Sequence, residues 1–549
     1  MSRRVKYILP IIIPALLIPS CSQKEQVVSK QTPYRVVSEE GKKTSITGSN
    51  GAPIALTSCE FRSDIFILAD HNKPEELDDY FALAKATNFN SIDLPFMWSQ
   101  VEKEKDQYVF DDIDAYLDLA KKHGLYINLL WYGSFVDGET HTINMPKYIS
   151  EDKETYPVIQ YCYPNSIFGD TAIMNYSNKN LLNRESQAIK ALFNHVAEWN
   201  LQNEKYNPII VLQCGQGLDR LERYRIEQYD IQYNGERMTN DQAEIFVEDY
   251  ATAISKAAKN SKYSPITRVE FCEQTAVTSY VRSVEQISTI DVLATTYLGT
   301  VPLTKTGIYN FSEEYGESKP IMCSENWAND LNYRSALVTY AMGGCGFNSY
   351  NLSSPIYYPL EAKTIDYQIG GALYRRKNSS GKSLEQKFTQ INSRASDIAS
   401  VNNMVNLAYV PITKALKENF GLMGFDSKFI KEHAGHQKVY FDSGVMFDYY
   451  SSSDNSYGYV INSDSFVYVI SNSDGVLNLE NCSIQNVSQG YFDEDGFWKN
   501  EETIYTFEDG VSFKKDKLYR IRVNDVLELP AIEWLEENSY KDTNNIIKG

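Results

Sequence analysis

Carboxylates, amides and large aromatic rings recur at the ends of short apolar runs in this chain. Glu60 follows the run 53–59, Trp98 the run 91–96, and Trp131 with Tyr132 closes 125–131. Glu273 follows 266–272, Tyr297 ends 290–297, Glu325 and Trp327 follow 320–324, and Asn348 and Tyr350 lie within 345–350. Paired carboxylates suit glycosidic-bond chemistry, in which one attacks the anomeric carbon and another protonates the leaving oxygen. Trp and Tyr stack on the apolar C–H faces of a sugar, and Asn, Gln and carboxylates take its hydroxyls. Any one of these Glu residues, paired to an Arg or a helix, would instead be structural.

For such side chains to converge, the runs that carry them must be strands with their ends on one face. Between 51 and 403 the chain alternates apolar runs with helix-period stretches, the sequence form of repeated βα units. With 208–214 added, the runs number eight. Helices are expected over 74–87, 183–199, 241–259, 333–342 and 384–401. One more is fully legible: Asp111 caps it, Ile113, Tyr116, Leu117 and Ala120 form its apolar stripe, and Gly124 ends it. The pattern predicts a (β/α)8 TIM barrel over 51–403. A doubly wound sheet is the rival, but no Gly-rich phosphate loop follows the first run.

Loops after barrel strands build the active face. The long excursion 133–183, with Tyr148, Tyr156, Tyr161, Tyr163 and Tyr176, is therefore expected to shape a cleft. Beyond it, β-formers cluster over 439–450, 458–461, 466–471 and 519–523 between Ser/Asp/Asn/Gly turns. They predict a smaller all-β, sandwich-like domain, with a connecting segment, over 404–536, followed by a polar tail over 537–549.

Lys and Arg number 53 against 72 Asp and Glu in 549 residues, a net charge of -19 that repels polyanions and argues against nucleic acid. A mean hydropathy of -0.40 excludes a wholly membrane-embedded chain. The first 21 residues read as a lipoprotein signal: Arg3, Arg4 and Lys6 precede the apolar run 8–18, too short to span a bilayer, and Cys21 follows as the lipidated residue. A polar stretch, 22–50, reads as a flexible tether, so the expected location is the bacterial cell envelope, with the membrane touched through the anchor alone. The seven other cysteines form no CxxC pair and their odd number forbids complete pairing; they are expected as small buried hydrophobes. The six His show no HExxH spacing, so no metal is implied, and the chemistry needs no cofactor.

Several motifs, in order, carry a resemblance. Ser91-Ile-Asp-Leu-Pro-Phe-Met-Trp98, then Val101-Glu102, Phe110-Asp111 and Gly124-Leu-Tyr-Ile-Asn-Leu-Leu-Trp-Tyr-Gly-Ser134, resemble the opening of family 35-like β-galactosidase barrels, members of clan A of the retaining glycoside hydrolases. Lys319-Pro-Ile-Met-Cys-Ser-Glu-Asn-Trp327 is similar to the clan's seventh strand, which implies that Glu325 is the nucleophile. Gly343-Gly-Cys-Gly-Phe-Asn-Ser-Tyr350 resembles the eighth strand, and Tyr297 falls where the clan places a Tyr that hydrogen-bonds the nucleophile. The stretch Gly490-Tyr-Phe-Asp-Glu-Asp-Gly-Phe-Trp498 resembles the β domain of such proteins.

One departure stands against these. The clan's fourth strand runs Gln-x-Glu-Asn-Glu, its last Glu being the acid/base. Here Gln213 is followed by Cys214-Gly-Gln-Gly217, so Gly217 replaces the acid/base and Gln216 the sugar-binding Asn. Loss of a positioned acid removes typically ~10²–10⁴-fold in rate. Either another carboxylate has taken over, with Glu273 leading and Asp219 and Glu222 behind it, or the barrel is a catalytically silent glycan-binding lipoprotein. In both readings the partner is an oligosaccharide, held by Glu325, Tyr297, Trp131, Trp327, Gln216, Asn348, Trp98 and Glu60. A structural envelope protein with no glycan site is the third reading.

Overall fold

Side chains along a strand alternate between two faces, so parallel apolar runs need cover on both. The computed structural model describes residues 29–37, 44–68, 72–135, 144–162, 171–218, 221, 231–271, 279–296, 314–316, 318–327, 332–350, 352–358, 373–390, 395–418, 422–426, 436–440, 446–451, 457–463, 465–479, 483–505, 510–524 and 533–535. In it the eight runs close as a parallel barrel in chain order: β1 (Leu56–Glu60), β2 (Ser91–Met97), β3 (Tyr126–Tyr132), β4 (Ile209–Cys214), β5 (Ile266–Phe271), β6 (Val292–Thr296), β7 (Ile321–Trp327) and β8 (Gly344–Tyr350).

Between and after them run α1 (Pro74–Ala86), α2 (Asp111–His123), α3 (Lys179–Gln202), α4 (Asn240–Lys259), α5 (Ser279–Glu285), α6 (Asn332–Ala341) and α7 (Ala395–Glu418). Helix α2 buries the expected Ile113, Tyr116, Leu117 and Ala120 and stops at Gly124, whose φ of 62° is the left-handed cap that glycine adopts without penalty. Helix α4 starts with a capping box, Thr239 accepting from the Gln242 amide N–H while the Gln242 side chain accepts from the Thr239 N–H.

The C-terminal part is all-β, as expected. Among the described residues it holds a seven-stranded, largely antiparallel sheet that includes Phe466–Ser471, Ile484–Phe492 and Leu518–Val523, and a four-stranded antiparallel sheet that includes Met446–Ser451 and Gly475–Leu479. It is pinned to the barrel's helices: the Tyr459 hydroxyl donates to the Leu337 carbonyl of α6 (2.6 Å), and the Tyr457 hydroxyl to Asp397 of α7 (3.0 Å).

Three expectations need correction. The division at 403/404 falls inside the unbroken helix α7, which packs on both parts, so the all-β part begins after Glu418. The helix expected over 384–401 is instead a single turn, Leu384–Lys387, a short strand, Phe388–Gln390, and the start of α7. The polar tether 22–50 is docked over its described residues. Arg35–Val37 pairs with Ser45–Thr47, the Gln31 N–H donates to the Lys262 carbonyl (2.7 Å), the Tyr34 hydroxyl donates to the Asn207 carbonyl (2.6 Å), and Ile46 is fully buried. The described thiols of Cys59, Cys214, Cys323 and Cys345 are buried, as small hydrophobes would be.

Candidate active site in the barrel mouth

Apolar residues do not fill the lumen of this barrel. Arg268 of β5 and Asp93 of β2, both fully buried, form an ion pair at 2.6 Å although β3 and β4 lie between their strands, so the contact crosses the lumen. Asn128 of β3 donates to Asp93 (2.7 Å) and to Ser58 of β1 (2.8 Å). Gln213 of β4 accepts from Arg268 Nε (2.7 Å) and donates from its amide to Glu270 Oε2 (2.8 Å). The result is a continuous polar floor. Within it, one buried charge is neutralised by another, as burial of ions requires, while Asn128 Oδ1 and Arg268 Nη1 have no hydrogen-bond partner among the described residues.

Above the floor, at the strands' C-terminal ends, three carboxyls meet: Glu60 of β1, Glu270 of β5 and Glu325 of β7. Glu325 is half-buried, whereas Glu60 and Glu270 are buried. The pairing between β6 and β7 is irregular at Thr295/Thr296, and that between β7 and β8 at Cys323/Asn326. These irregularities bracket Ser324 and Glu325. A bulge shifts the alternation by one residue and re-aims the side chain, a recurrent device beside active sites.

Burial pushes the Glu60 carboxyl well above the usual carboxylate range. Arg62 opposes the shift, and the charges of Glu325, Asp93 and Glu270 reinforce it. Arg62 cannot fully compensate because Asp64 holds its guanidinium in a two-bonded fork (2.9 and 2.8 Å), with the Tyr350 hydroxyl as a third partner (2.8 Å). Its approach to Glu60 is longer, 3.6 Å. Burial likewise raises the Tyr350 hydroxyl to about 12 and Tyr132 well above its usual value. Asn348 spans the group, its amide donating to the Ser324 carbonyl (2.8 Å) and, at 3.4 Å, to Glu60.

The fourth strand ends differently. After Cys214 the backbone turns through Gly215 (φ 76°) and Gly217 (φ 56°), and the Leu218 N–H returns to the Glu270 carbonyl (3.3 Å). A Cβ on Gly215 would lie 2.9 Å from the Tyr250 ring and 3.0 Å from the Phe135 carbonyl. The substitution read in the sequence is thus a change of backbone path as well as a lost side chain. Gln216 is half-buried, with its N–H on the Phe135 carbonyl (3.1 Å).

Of the expected site residues, Glu60, Glu325 and Asn348 are brought together, and Gln216 borders β4. Two Trp residues are not on a cleft wall. Trp131 is fully buried and faces the helices, donating to Glu185 of α3 (2.8 Å), because Leu130 and Tyr132 on either side of it pack together with Met97 in a separate cluster. Trp98 is also fully buried, its indole N–H on Glu102 (3.1 Å). Several of the loop tyrosines pack as structure: the Tyr176 hydroxyl donates to the Ser134 carbonyl, and Tyr148 accepts from Arg184. Glu273, Tyr297, Asp219, Glu222 and Tyr163 lie outside the described residues, as does the Trp327 side chain. Glu270 and Arg268 are not among the expected site residues, and Gln213 is named there only as the residue leading into the altered β4 motif. Their signal is the i, i+2 spacing of Arg268 and Glu270 inside an apolar run, which puts two charges on one strand face.

No family model matches the sequence, and no curated protein matches it. Solved structures similar to it include an exo-β-1,4-mannosidase from Opitutaceae bacterium strain TAV5, at 11% identity and TM-score 0.44 over 65% of this chain and 60% of that one. An endo-1,4-β-mannanase from Rhizomucor miehei gives 10% and 0.41 over 58% and 90%. A β-galactosidase from Halorubrum lacusprofundi gives 10% and 0.42 over 63% and 57%. The chain thus spans about 60% of the length of that mannosidase. At such identities these likenesses say nothing of this chain's substrate.

Proposed function

We propose that the chain is a retaining glycoside hydrolase acting on β-linked oligosaccharides, β-galactosidase-like, with Glu325 as nucleophile, held at the bacterial cell envelope by a lipid on Cys21. The observation that carries this reading is the half-buried Glu325, set by a bulge at the barrel mouth within the electrostatic range of the buried Glu60 carboxyl, which Glu270 also reaches. Retention asks for a carboxyl pair ~5–5.5 Å apart, one attacking C1 and one moving the proton. Three carboxyls converging from β1, β5 and β7 supply the groups for such a pair.

The β4 turn favours a second reading, a silent glycan binder, because Gly217 offers no acid where the resemblance expects one. Aryl β-galactosides with the intact chain separate the two. A hydrolase releases the phenol, loses that release in Glu325→Gln, and takes a covalent label at Glu325 from a 2-fluoro-glycoside. Sugar affinity with neither release nor label would establish the binder. The anchor is tested separately: Cys21→Ala should move the protein out of the membrane fraction of its host.

A further inference from the structure

We propose that Glu60, at the end of β1, is the proton donor of this site and does the work that the β4 turn leaves undone. The inference rests on Glu325 being the nucleophile. It follows from how the buried charges are already distributed.

Among the described residues two guanidinium groups reach this region, and each is committed to its own Asp: Arg268 to Asp93 at 2.6 Å, and Arg62 to Asp64 through a fork. Glu270 has two protein donors, the Gln213 amide at 2.8 Å on one oxygen and the Thr296 hydroxyl at 3.3 Å on the other. Among the described residues Glu60 has no comparable set: its contacts there are the distant edge of Arg62 at 3.6 Å and the Asn348 amide at 3.4 Å, long for a hydrogen bond. Neighbouring like charges cannot all ionise in a buried site, so the proton goes to the carboxyl with the weakest donors.

The three carboxylates facing Glu60 act in the same sense. Asp93 of β2, Glu270 of β5 and Glu325 of β7 oppose its ionisation, and burial outweighs the opposing effect of Arg62. Tyr132 of β3 and Tyr350 of β8 stay neutral, since burial raises both. Glu60 and Glu325 sit on strands separated only by β8, with Asn348 of that strand touching both Glu60 and the carbonyl of Ser324.

In the first step a Glu325 oxygen bonds to C1, the C1–O bond breaks, and the Glu60 proton passes to the departing oxygen, so the aglycone leaves as a neutral alcohol. In the second, Glu60, now a carboxylate, takes a proton from water while the water oxygen bonds to C1 and frees Glu325. Atoms and charge balance, with water as the only co-reactant. Asn348 acts here as a positioning residue.

The test compares wild type, Glu60→Gln and Glu60→Ala on a β-linked disaccharide and on a dinitrophenyl β-glycoside, whose leaving group needs no proton. Glu60→Gln should slow the disaccharide ~10²–10⁴-fold while formation of the glycosyl-enzyme from the dinitrophenyl substrate stays within a few-fold. The alkaline limb of the kcat/KM profile should disappear, and azide should restore turnover in Glu60→Ala with release of a glycosyl azide. Equal losses on both substrates with the alkaline limb intact would make Glu60 merely structural and overturn the proposal. So would an undiminished disaccharide rate in a Glu60→Gln protein that still labels at Glu325. If the wild type itself neither turns over nor labels at Glu325, the hydrolase reading fails first and takes this one with it.

Discussion

Restoring a glutamate at position 217 should not create an acid. Gly217 sits at φ 56°, in the left-handed region, where an L-residue pays ~1–2 kcal/mol in backbone sterics. That loss is a ~5–30-fold fall in the folded-to-unfolded ratio. Gly217→Ala carries the same backbone penalty without a carboxyl and is the matched control. Either variant must strain the turn or unwind it, and unwinding would break the Leu218 N–H bond to the Glu270 carbonyl. Chemical denaturation should therefore show both variants destabilised by about the same ~1–2 kcal/mol. Hydrolysis of a β-linked disaccharide should be no faster in Gly217→Glu than in Gly217→Ala. A Gly217→Glu protein that outpaces the alanine control ~10²-fold would show that the backbone still presents position 217 to the substrate, and the account of the turn would be wrong. Unchanged stability in both variants would refute the strain argument directly.

Other outcomes follow from the same packing. Arg268→Met strands Asp93 as an unpaired buried charge and should cost ~3–5 kcal/mol in denaturant unfolding, whereas Arg268→Met with Asp93→Leu should recover much of that loss. Glu185→Ala removes the acceptor shared by Trp131, the Ser134 N–H and hydroxyl, and Tyr250, and should cost ~3–5 kcal/mol by the same measurement. Gly133→Ala should be comparably damaging, because its Cβ would collide with the Glu185 carboxylate and the Trp131 indole. Glu60 has a folded-state pKa above its unfolded one, so the folded chain binds more protons between those two values and wild-type stability declines as pH rises through that window. Glu60→Gln should flatten the decline and leave the variant the more stable at neutral pH, while a wild-type-like slope in unfolding free energy against pH would contradict it.

The eight strands and α2 were readable because burial on two faces, or on one stripe, writes itself into residue spacing. Side-chain parity was readable too and was misapplied. Asn128, Leu130 and Tyr132 share one face of β3, which leaves Trp131 on the other, against Glu185. Glu270 sits within its run and not after it, and Arg268 two positions earlier marks its face. The docking of 29–37 and 44–50 could not be read from spacing, since it relies on main-chain bonds such as Gln31 to Lys262 and Ser264, to which side-chain pattern is blind. The loss of an acid at 217 was plain from the letters, whereas the left-handed turn behind it is a property of backbone path.

The docked leading segment also sets a direction. Gln31 pairs beside Tyr263, which precedes β5; Tyr34 reaches Asn207, which precedes β4; and Asn50 bonds the Glu494 carbonyl of the all-β part. All of these contacts lie at the strands' beginnings, the pole of the molecule opposite Glu325. From Cys21 to Ser29 the chain advances eight residues, a reach of at most ~29 Å at full extension. A lipid on Cys21 would hold that pole toward the bilayer and turn the carboxyl-lined opening outward.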